Sequence, residues 1–249
     1  MKNLVVLFVC MIGLMVSLNA QAPKNTCIVL DGTAGIEIPV TFSGWPSLSI
    51  ESWFKYVDTE TWRWVFGTGP DYCNLGMAVA EGDSIMRYHI TTTEYGTSTY
   101  DGKKLLTPGT WYHIAMVFDG ETVKIFIDGE LDFQANDNGR IKITNTKYAI
   151  GAGYWSGNEI FKGAIDEVRI WNRAITQTEI KNNMNKELTG KENGLKNYYP
   201  CNEGSGDVLY DIASGQNGVI KSGVTWFGTP SKKTNPSNPS SGTQMPFGN

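Results

Sequence analysis

The side chains of this 249-residue chain that are best suited to molecular recognition are aromatic rings beside amides and carboxylates. Tyr154 and Trp155 stand close to Asn158 and Glu159 in the glycine-bounded segment GYWSGNE. Rigid aromatic rings can stack on the apolar C–H faces of sugars, while neighbouring polar groups pair with hydroxyls. The pattern predicts a ligand-binding loop at 153–159 with Trp155 as its principal contact, although core packing explains this ring equally well.

A second aromatic set surrounds the turn GTGPDYCN. Trp62 and Tyr72 belong to this set and are further candidates for ligand contact. Core packing is the competing interpretation of every ring, because aromatic side chains supply much of the buried area of a folded domain. That interpretation is favoured for three rings in predicted strands, Trp64, Trp111 and Trp171.

Carboxylates and histidines form no recognisable catalytic set in the sequence. Glycoside hydrolysis requires two carboxyl groups roughly 5 to 10 Å apart across the scissile bond. The nearest candidates, Asp166 and Glu167, are adjacent, and adjacent residues on a strand point to opposite faces. His89 and His113 lie in predicted strands without a serine or cysteine nucleophile motif, and no zinc spacing or phosphate loop occurs. We therefore predict that the chain is not an enzyme.

The first residues predict export. A lysine near the start precedes an almost unbroken apolar run over 4–18, followed by small residues that end at Ala20. This pattern is typical of a secretory signal peptide at 1–20. The run is shorter than the roughly 20 residues that a membrane-spanning helix needs. We expect a protein without membrane insertion that is secreted, periplasmic or held at the cell surface.

Charge and cysteine content narrow the function further. The net charge is −4, and the 25 acidic residues are spread along the chain, so nucleic-acid binding has no electrostatic basis. Removal of the signal peptide leaves Cys27, Cys73 and Cys201. An exported protein with three cysteines can form one disulfide and retain one thiol.

Short apolar runs separated by Gly, Asp, Asn and Pro predict an all-β chain. The predicted strands are 27–30, 35–38, 48–57, 62–67, 75–80, 85–90, 111–118, 123–127 and 164–171. Asp-Gly pairs at 119–120 and 128–129 indicate tight turns in a three-stranded meander. The strand at 111–118 is apolar on nearly both faces, which predicts a central position.

One short helix is signalled near the C-terminal side. Thr176 can cap the first turn, and Glu179 three residues later completes a capping box. Ile180 and Met184 provide an apolar pair one turn apart. The helix should therefore begin near Gln177.

Three stretches resemble, in this order, the LamG-like jelly-roll family of the concanavalin A-like lectin/glucanase superfamily, which includes laminin G and pentraxin-like domains. They are CIVLDGTAGIEIP at 27–39 with LSIESWFKY at 48–56, TWYHIAMVFDGETVKIFIDGELD at 110–132, and FKGAIDEVRIWNRAITQTEI at 161–180. The resemblance implies a two-sheet antiparallel jelly-roll sandwich with one curved sheet and one short helix.

The segment at 194–226 resembles the piece that commonly opens such a domain, yet here it comes last. It either adds an edge strand beside Cys27 or begins a second, incomplete repeat. We favour the first, because an isolated stub would expose apolar side chains. The predicted organisation is a domain at 21–228 and a disordered tail rich in Pro, Ser and Asn at 229–249.

The resemblance also implies site chemistry and function. It favours a Cys27–Cys201 disulfide and a structural Ca²⁺ held by Asp31, Gly32 and Asp166. It implies an exported, non-catalytic module that binds carbohydrate at or outside the cell surface. A protein-adhesion or scaffold domain for an extracellular partner is the alternative, and a glycoside hydrolase is the third possibility.

Overall fold

The structure is a computed structural model that describes residues 26–42, 44–69, 74–142, 147–153 and 159–228. Several sequence predictions lie outside these ranges. They concern the signal peptide at 1–20, the tail at 229–249, and the residues Tyr72, Tyr154, Trp155 and Asn158. These stay predictions.

Sixteen strands and one helix form in the described ranges. The first eight strands are β1 (Thr26–Asp31), β2 (Ile36–Ile38), β3 (Leu48–Tyr56), β4 (Arg63–Gly69), β5 (Leu75–Val79), β6 (Met86–Thr92), β7 (Gly96–Asp101) and β8 (Tyr112–Phe118). The others are β9 (Thr122–Ile127), β10 (Glu130–Asn136), β11 (Lys147–Ile150), β12 (Lys162–Trp171), β13 (Leu195–Tyr199), β14 (Val208–Leu209), β15 (Gly218–Val219) and β16 (Val224–Gly228). The helix α1 spans Gln177–Asn183.

The strands make two antiparallel sheets of eight strands each. Sheet A has the order β10-β9-β8-β3-β12-β1-β16, and β13 also pairs with β12. Sheet B has the order β14-β15-β2-β11-β4-β5-β6-β7. A large apolar cluster drawn from both sheets fills the space between them. The predicted all-β sandwich is confirmed.

The strand β8 is central, as its sequence predicts, because it lies between β3 and β9. Its residues are buried throughout. Ile114 and Met116 enter the main core, whereas Ala115 and Val117 pack on the opposite face of sheet A with Ile180 of α1. The helix therefore covers the outer side of sheet A, which explains why β8 is apolar on both faces.

The helix begins where its capping signals place it. The backbone N–H of Glu179 donates to Thr176 Oγ1 at 3.2 Å, and the N–H of Thr176 donates to Glu179 Oε2 at 2.8 Å. This reciprocal pair satisfies two backbone donors at the helix start. Arg173 donates to the same Glu179 carboxylate at 2.7 Å, which fixes the chain that leads from β12 into α1.

The C-terminal segment is built into both sheets of the sandwich. β13 pairs with the second half of β12, and β16 pairs with β1, with Ile28 opposite Trp226. β15 pairs with β2 at the edge of sheet B, where Val219 lies opposite Glu37. Tyr199 and other residues of the segment are buried in the main core.

The predicted disulfide is absent, and both Cys27 and Cys201 are free and buried. Ile28 and Leu30 of β1 point into the main core, so strand alternation turns Cys27 to the opposite face of sheet A. Cys201 belongs to the main core. β16 pairs with β1 as the expected edge strand, but Cys201 lies outside it, just after β13, and the two cysteines belong to different apolar clusters.

Candidate functional site

Strands β4 to β7 carry polar and aromatic side chains on the face of sheet B that is turned away from sheet A. Met77, Val79, Tyr88 and Ile90 point into the main core. Because side chains alternate along a strand, the residues between them point outward. The outer face of β4–β7 therefore includes Trp64, Ala78, Gly76, Arg87, His89, Thr91, Thr97, Thr99 and Asp101, which are also matched across the strands by register.

Trp64 is buried, as the interpretation based on sequence expects, but its ring packs on this face and not in the main core between the sheets. A bulge between Trp64 and Phe66 directs both Val65 and Phe66 inward, so the tryptophan is left on the outside. Its indole N–H donates to Glu159 Oε2 at 3.0 Å. Glu159, one of the predicted ligand contacts, therefore lies beside β4.

The Trp64 ring reaches across β5 to contact β6. Its centroid lies 5.2 Å from that of the His89 ring, although β4 and β6 are two strands apart. Gly76 and Ala78, which lie on β5 between them, leave room for the indole. Gly153 is equally necessary, because a Cβ at that position would lie 2.1 Å from Cδ2 of Trp64.

Trp62 immediately precedes β4 and is partly exposed beside the same face. The guanidinium carbon of Arg87 lies 4.7 Å from the centroid of the Trp62 ring, a cation–π geometry. Arg87 also forms a two-point ion pair with Asp101, in which Nη2 donates to Oδ2 at 2.8 Å. The ion pair with Asp101 fixes the position of the Arg87 guanidinium, and the guanidinium in turn packs against the Trp62 ring.

The remaining positions on β6 and β7 form polar cross-strand pairs. Thr99 Oγ1 and His89 Nδ1 are 3.2 Å apart, and the hydroxyls of Thr91 and Thr97 are 2.8 Å apart. Burial and the charge of Arg87 lower the pKa of His89 to about 4. The imidazole is therefore neutral at physiological pH, and these two pairs offer hydrogen-bonding groups without net charge.

Three comparisons place the chain among known proteins. A model of the concanavalin A-like lectin/glucanases superfamily matches residues 30–181, which is more than half of the chain. The chain belongs to this superfamily. Pappalysin-1 from Mus musculus is 30% identical over 90 residues, which cover 35% of this chain and 6% of pappalysin-1. The chain thus spans a small part of the length of that relative.

Solved structures of this superfamily share the fold. A provisionally assigned carbohydrate binding protein from Bacteroides ovatus has a TM-score of 0.65 at 20% identity, and the match covers 88% of this chain and 62% of that chain. A SAP-like pentraxin from Limulus polyphemus has a TM-score of 0.54 at 16% identity and covers 83% and 96%. The resemblance predicted from three sequence stretches is confirmed.

The superfamily includes glucanases, whose chemistry depends on a pair of accessible carboxyl groups. Asp166 and Glu167 are each 2% exposed, at a bulge of β12 that faces α1 and not solvent. Glu167 Oε2 accepts from Tyr198 Oη at 2.7 Å and from Arg169. On the outer face of β4–β7, the carboxylates of Asp101 and Glu159 are held by Arg87 and Trp64. Glu167, Asp101 and Glu159 thus have side-chain partners, and Asp166 Oδ1 accepts from the backbone N–H of Glu167 at 3.0 Å.

The histidines are also held by neighbouring side chains. His113 is buried beside Trp53, and its Nε2 lies 3.4 Å from Oε2 of the buried Glu51. His89 has the ring and hydroxyl contacts described above. Neither histidine contacts a serine or cysteine nucleophile in the described residues.

The strand pairing does not bring the predicted calcium ligands Asp31 and Asp166 together, whereas calcium binding as such stays a prediction. β1 and β12 do pair, but Asp31 lies opposite Lys162, four residues before Asp166. This register separates the two aspartates by about 13 Å along the strands. Asp31 instead accepts from the backbone N–H and the hydroxyl of Thr33 at 2.9 and 2.6 Å, which stabilises the turn at Gly32. Among the described residues, no group of three or more His, Cys, Asp or Glu side chains is arranged to hold a metal ion.

A separate cleft of about 500 Å³ opens at one end of the sandwich. Its walls include Glu94, Asp119, Glu121 and Arg140, and no aromatic ring lines it. Asp119 is occupied by donors from Thr122 and Lys124. The cleft therefore lacks the aromatic rings that lie on and beside the outer face of β4–β7.

Proposed function

We propose that this protein is an exported, non-catalytic module that binds carbohydrate through the outer face of β4–β7. The observation that carries the proposal is the partly exposed Trp62 ring, fixed by Arg87 next to the hydrogen-bonding row formed by His89 and Thr99. A fixed ring offers a stacking surface at low entropic cost, while flanking donors and acceptors provide orientation. Sugars present complementary apolar faces and hydroxyls.

Two further points support the proposal. The Bacteroides ovatus protein that shares this fold is itself provisionally assigned to carbohydrate binding. Glu159, predicted from the sequence as a ligand contact, reaches the same face through Trp64.

None of the helical structure in the described ranges has the length and apolar character needed to cross a bilayer.

The direct test is the binding of residues 21–249 to a panel of soluble polysaccharides, measured by affinity electrophoresis and then calorimetry. We expect Trp62→Ala to weaken binding by about tenfold or more, the size of effect that anchoring aromatic residues commonly have. Trp111→Ala is the matched control, because Trp111 packs near Cys27 on sheet A. Trp155→Ala, run alongside, tests the residue favoured by the sequence.

The outcomes separate three possibilities. Loss of affinity in Trp62→Ala with retention in Trp111→Ala supports the assigned face. Equal affinity in Trp62→Ala and the unmodified protein would move the site elsewhere. The absence of binding to any polysaccharide would overturn carbohydrate binding and favour the protein-adhesion alternative.

A further inference from the structure

The charged groups on the outer face of β4–β7 are compensated within the protein. Arg87 is the described cation of β6 on this face, and both oxygens of Asp101 already accept from it. The same guanidinium lies over Trp62. Its positive charge is therefore committed to internal contacts and does not project as a free binding group.

The other side chains of the face add no positive charge. His89 is neutral and pairs with the hydroxyl of Thr99. Thr91 and Thr97 bond to each other. Glu159 contributes a carboxylate whose described partner is the neutral indole N–H of Trp64. An acidic ligand would therefore meet the charges of Asp101 and Glu159 without an available cation on β4–β7.

We propose that this face selects neutral polysaccharides and rejects those that carry carboxylate or sulfate groups, an inference that rests on the proposed carbohydrate-binding function. Neutral hydroxyls can exchange hydrogen bonds with His89 and Thr99 at little electrostatic cost. A carboxylate must either lie near Glu159 unpaired or displace Asp101 from Arg87, and both are unfavourable.

Asp101 is thus a specificity-determining residue that acts through Arg87. Its carboxylate is substantially exposed, with 44% of the side chain accessible, so replacement by asparagine is compatible with the fold. Asp101→Asn removes the compensating charge and leaves Arg87 available to an anionic ligand. The same change leaves the hydrogen-bonding row of His89 and Thr99 intact.

The experiment compares each neutral polysaccharide that binds with its own C6-carboxylated and sulfated derivatives, so that the backbone is constant within each set. We expect the unmodified protein to bind the neutral form at least tenfold more tightly than either acidic form. In Asp101→Asn this ratio should fall by about tenfold, and binding to the acidic forms should weaken with added salt. Asp101→Glu, which keeps the compensating charge beside Arg87, should retain the preference for neutral ligands.

Lys124→Gln is the matched control, because Lys124 lies on β9 of sheet A, where its Nζ pairs with Asp119 Oδ2 at 2.7 Å. Thermal unfolding of each variant verifies the fold. Equal or tighter binding of an acidic form by the unmodified protein would overturn the proposed selectivity while leaving carbohydrate binding supported. If Asp101→Asn leaves the ratio of neutral to acidic affinity unchanged, the role of this ion pair is overturned. If the unmodified protein binds no polysaccharide, the proposed function is overturned together with this inference.

Discussion

Asp166 illustrates how the sandwich holds a carboxyl group away from water. Burial and the neighbouring Glu167 carboxylate raise the pKa of Asp166 well above its usual range. Glu167 accepts hydrogen bonds from Arg169 and Tyr198, whereas Asp166 accepts from the backbone N–H of Glu167 at 3.0 Å. Burial therefore favours the neutral form of Asp166, whereas Arg169 and Tyr198 stabilise the charged form of Glu167.

Asp166→Asn should increase the free energy of unfolding at pH 7. Asparagine keeps the oxygen that accepts from the Glu167 N–H, and it needs no proton to remain neutral. Since the folded pKa is raised, the wild-type carboxyl stabilises the fold at acidic pH, and this contribution is lost as pH rises through the folded value. The gain of the variant should therefore appear at neutral pH and vanish near pH 3.

Denaturant unfolding at pH 3 and pH 7 measures this difference. Asp207→Asn provides the control, because Asp207 is exposed. A stability gain in Asp166→Asn that is the same at pH 3 and pH 7 would contradict a raised pKa of Asp166 in the folded protein.

His89 predicts the opposite dependence on pH. Burial and the charge of Arg87 lower its pKa from 6.5 to about 4. Between these pH values the imidazole is protonated in the unfolded chain and neutral in the folded chain. Stability should therefore decrease as pH falls from 6.5 to 4, by at most about 3 kcal/mol. His89→Gln should remove this part of the decrease, and the difference between variant and wild type, followed by urea unfolding across that range, isolates it from Asp166. Parallel curves would show that His89 is accessible to protons in the fold.

At the scale of elements, the bulge in β12 joins sheet A to the chain that follows α1. Arg169 donates to the carbonyl oxygens of Asn183 and Lys186 at 3.1 and 2.6 Å. The indole N–H of Trp53 on β3 donates to the carbonyl of Met184 at 2.6 Å. These contacts satisfy the carbonyl groups at the helix end and hold α1 on the outer face of sheet A.

Arg169→Met should destabilise the protein by about 3 to 5 kcal/mol, because it leaves the buried Glu51 and Glu167 without their cation. Lys181→Met is the control, since its ion pair with Glu130 is exposed and worth less than about 1 kcal/mol. Urea unfolding of both variants tests the contrast. Similar losses would mean that the buried network adds no more than a surface pair.

The close approach of Gly153 to β4 makes a prediction about the candidate site. Gly153→Ala places a Cβ 2.1 Å from the Trp64 ring, so the ring must move and its contacts with Glu159 and His89 must change. We expect a loss of about 1 to 3 kcal/mol in stability, the usual cost of overpacking. Tryptophan fluorescence and thermal unfolding check this, and an unchanged emission maximum with unchanged stability would contradict it.

The sequence predicted elements better than it predicted their registers. Periodicity located β8 at the centre and capping residues located α1, because both signals are local. The bulge at Trp64 could not be predicted from the sequence. All three residues at 64–66 are apolar, so their pattern does not indicate which side chains face the core. The register that separates Asp31 from Asp166 was equally hidden, because pairing between distant strands leaves no mark on either strand alone.

At the scale of the whole molecule, the C-terminal segment from β13 to β16 completes both sheets of the sandwich. β16 covers the edge of β1, β13 covers the second half of β12, and β15 extends sheet B beside β2. Tyr198 and Tyr199 are fully buried, and Leu209 and Val224 enter the main core. The earlier strands therefore depend on this segment for the completion of both sheets and of the core.

A chain that ends at residue 193 should consequently fail to fold cooperatively. This truncation removes β13 to β16. It would expose two sheet edges and the apolar side chains that Tyr199 and Leu209 now cover. The control is a chain that ends at residue 228, which keeps every described strand and should unfold as the full chain does. Far-UV circular dichroism during urea titration measures both. If the chain ending at residue 193 unfolds in a single cooperative transition with unchanged midpoint, the first twelve strands form a self-sufficient core, and the C-terminal segment is an addition to the domain instead of its closing part.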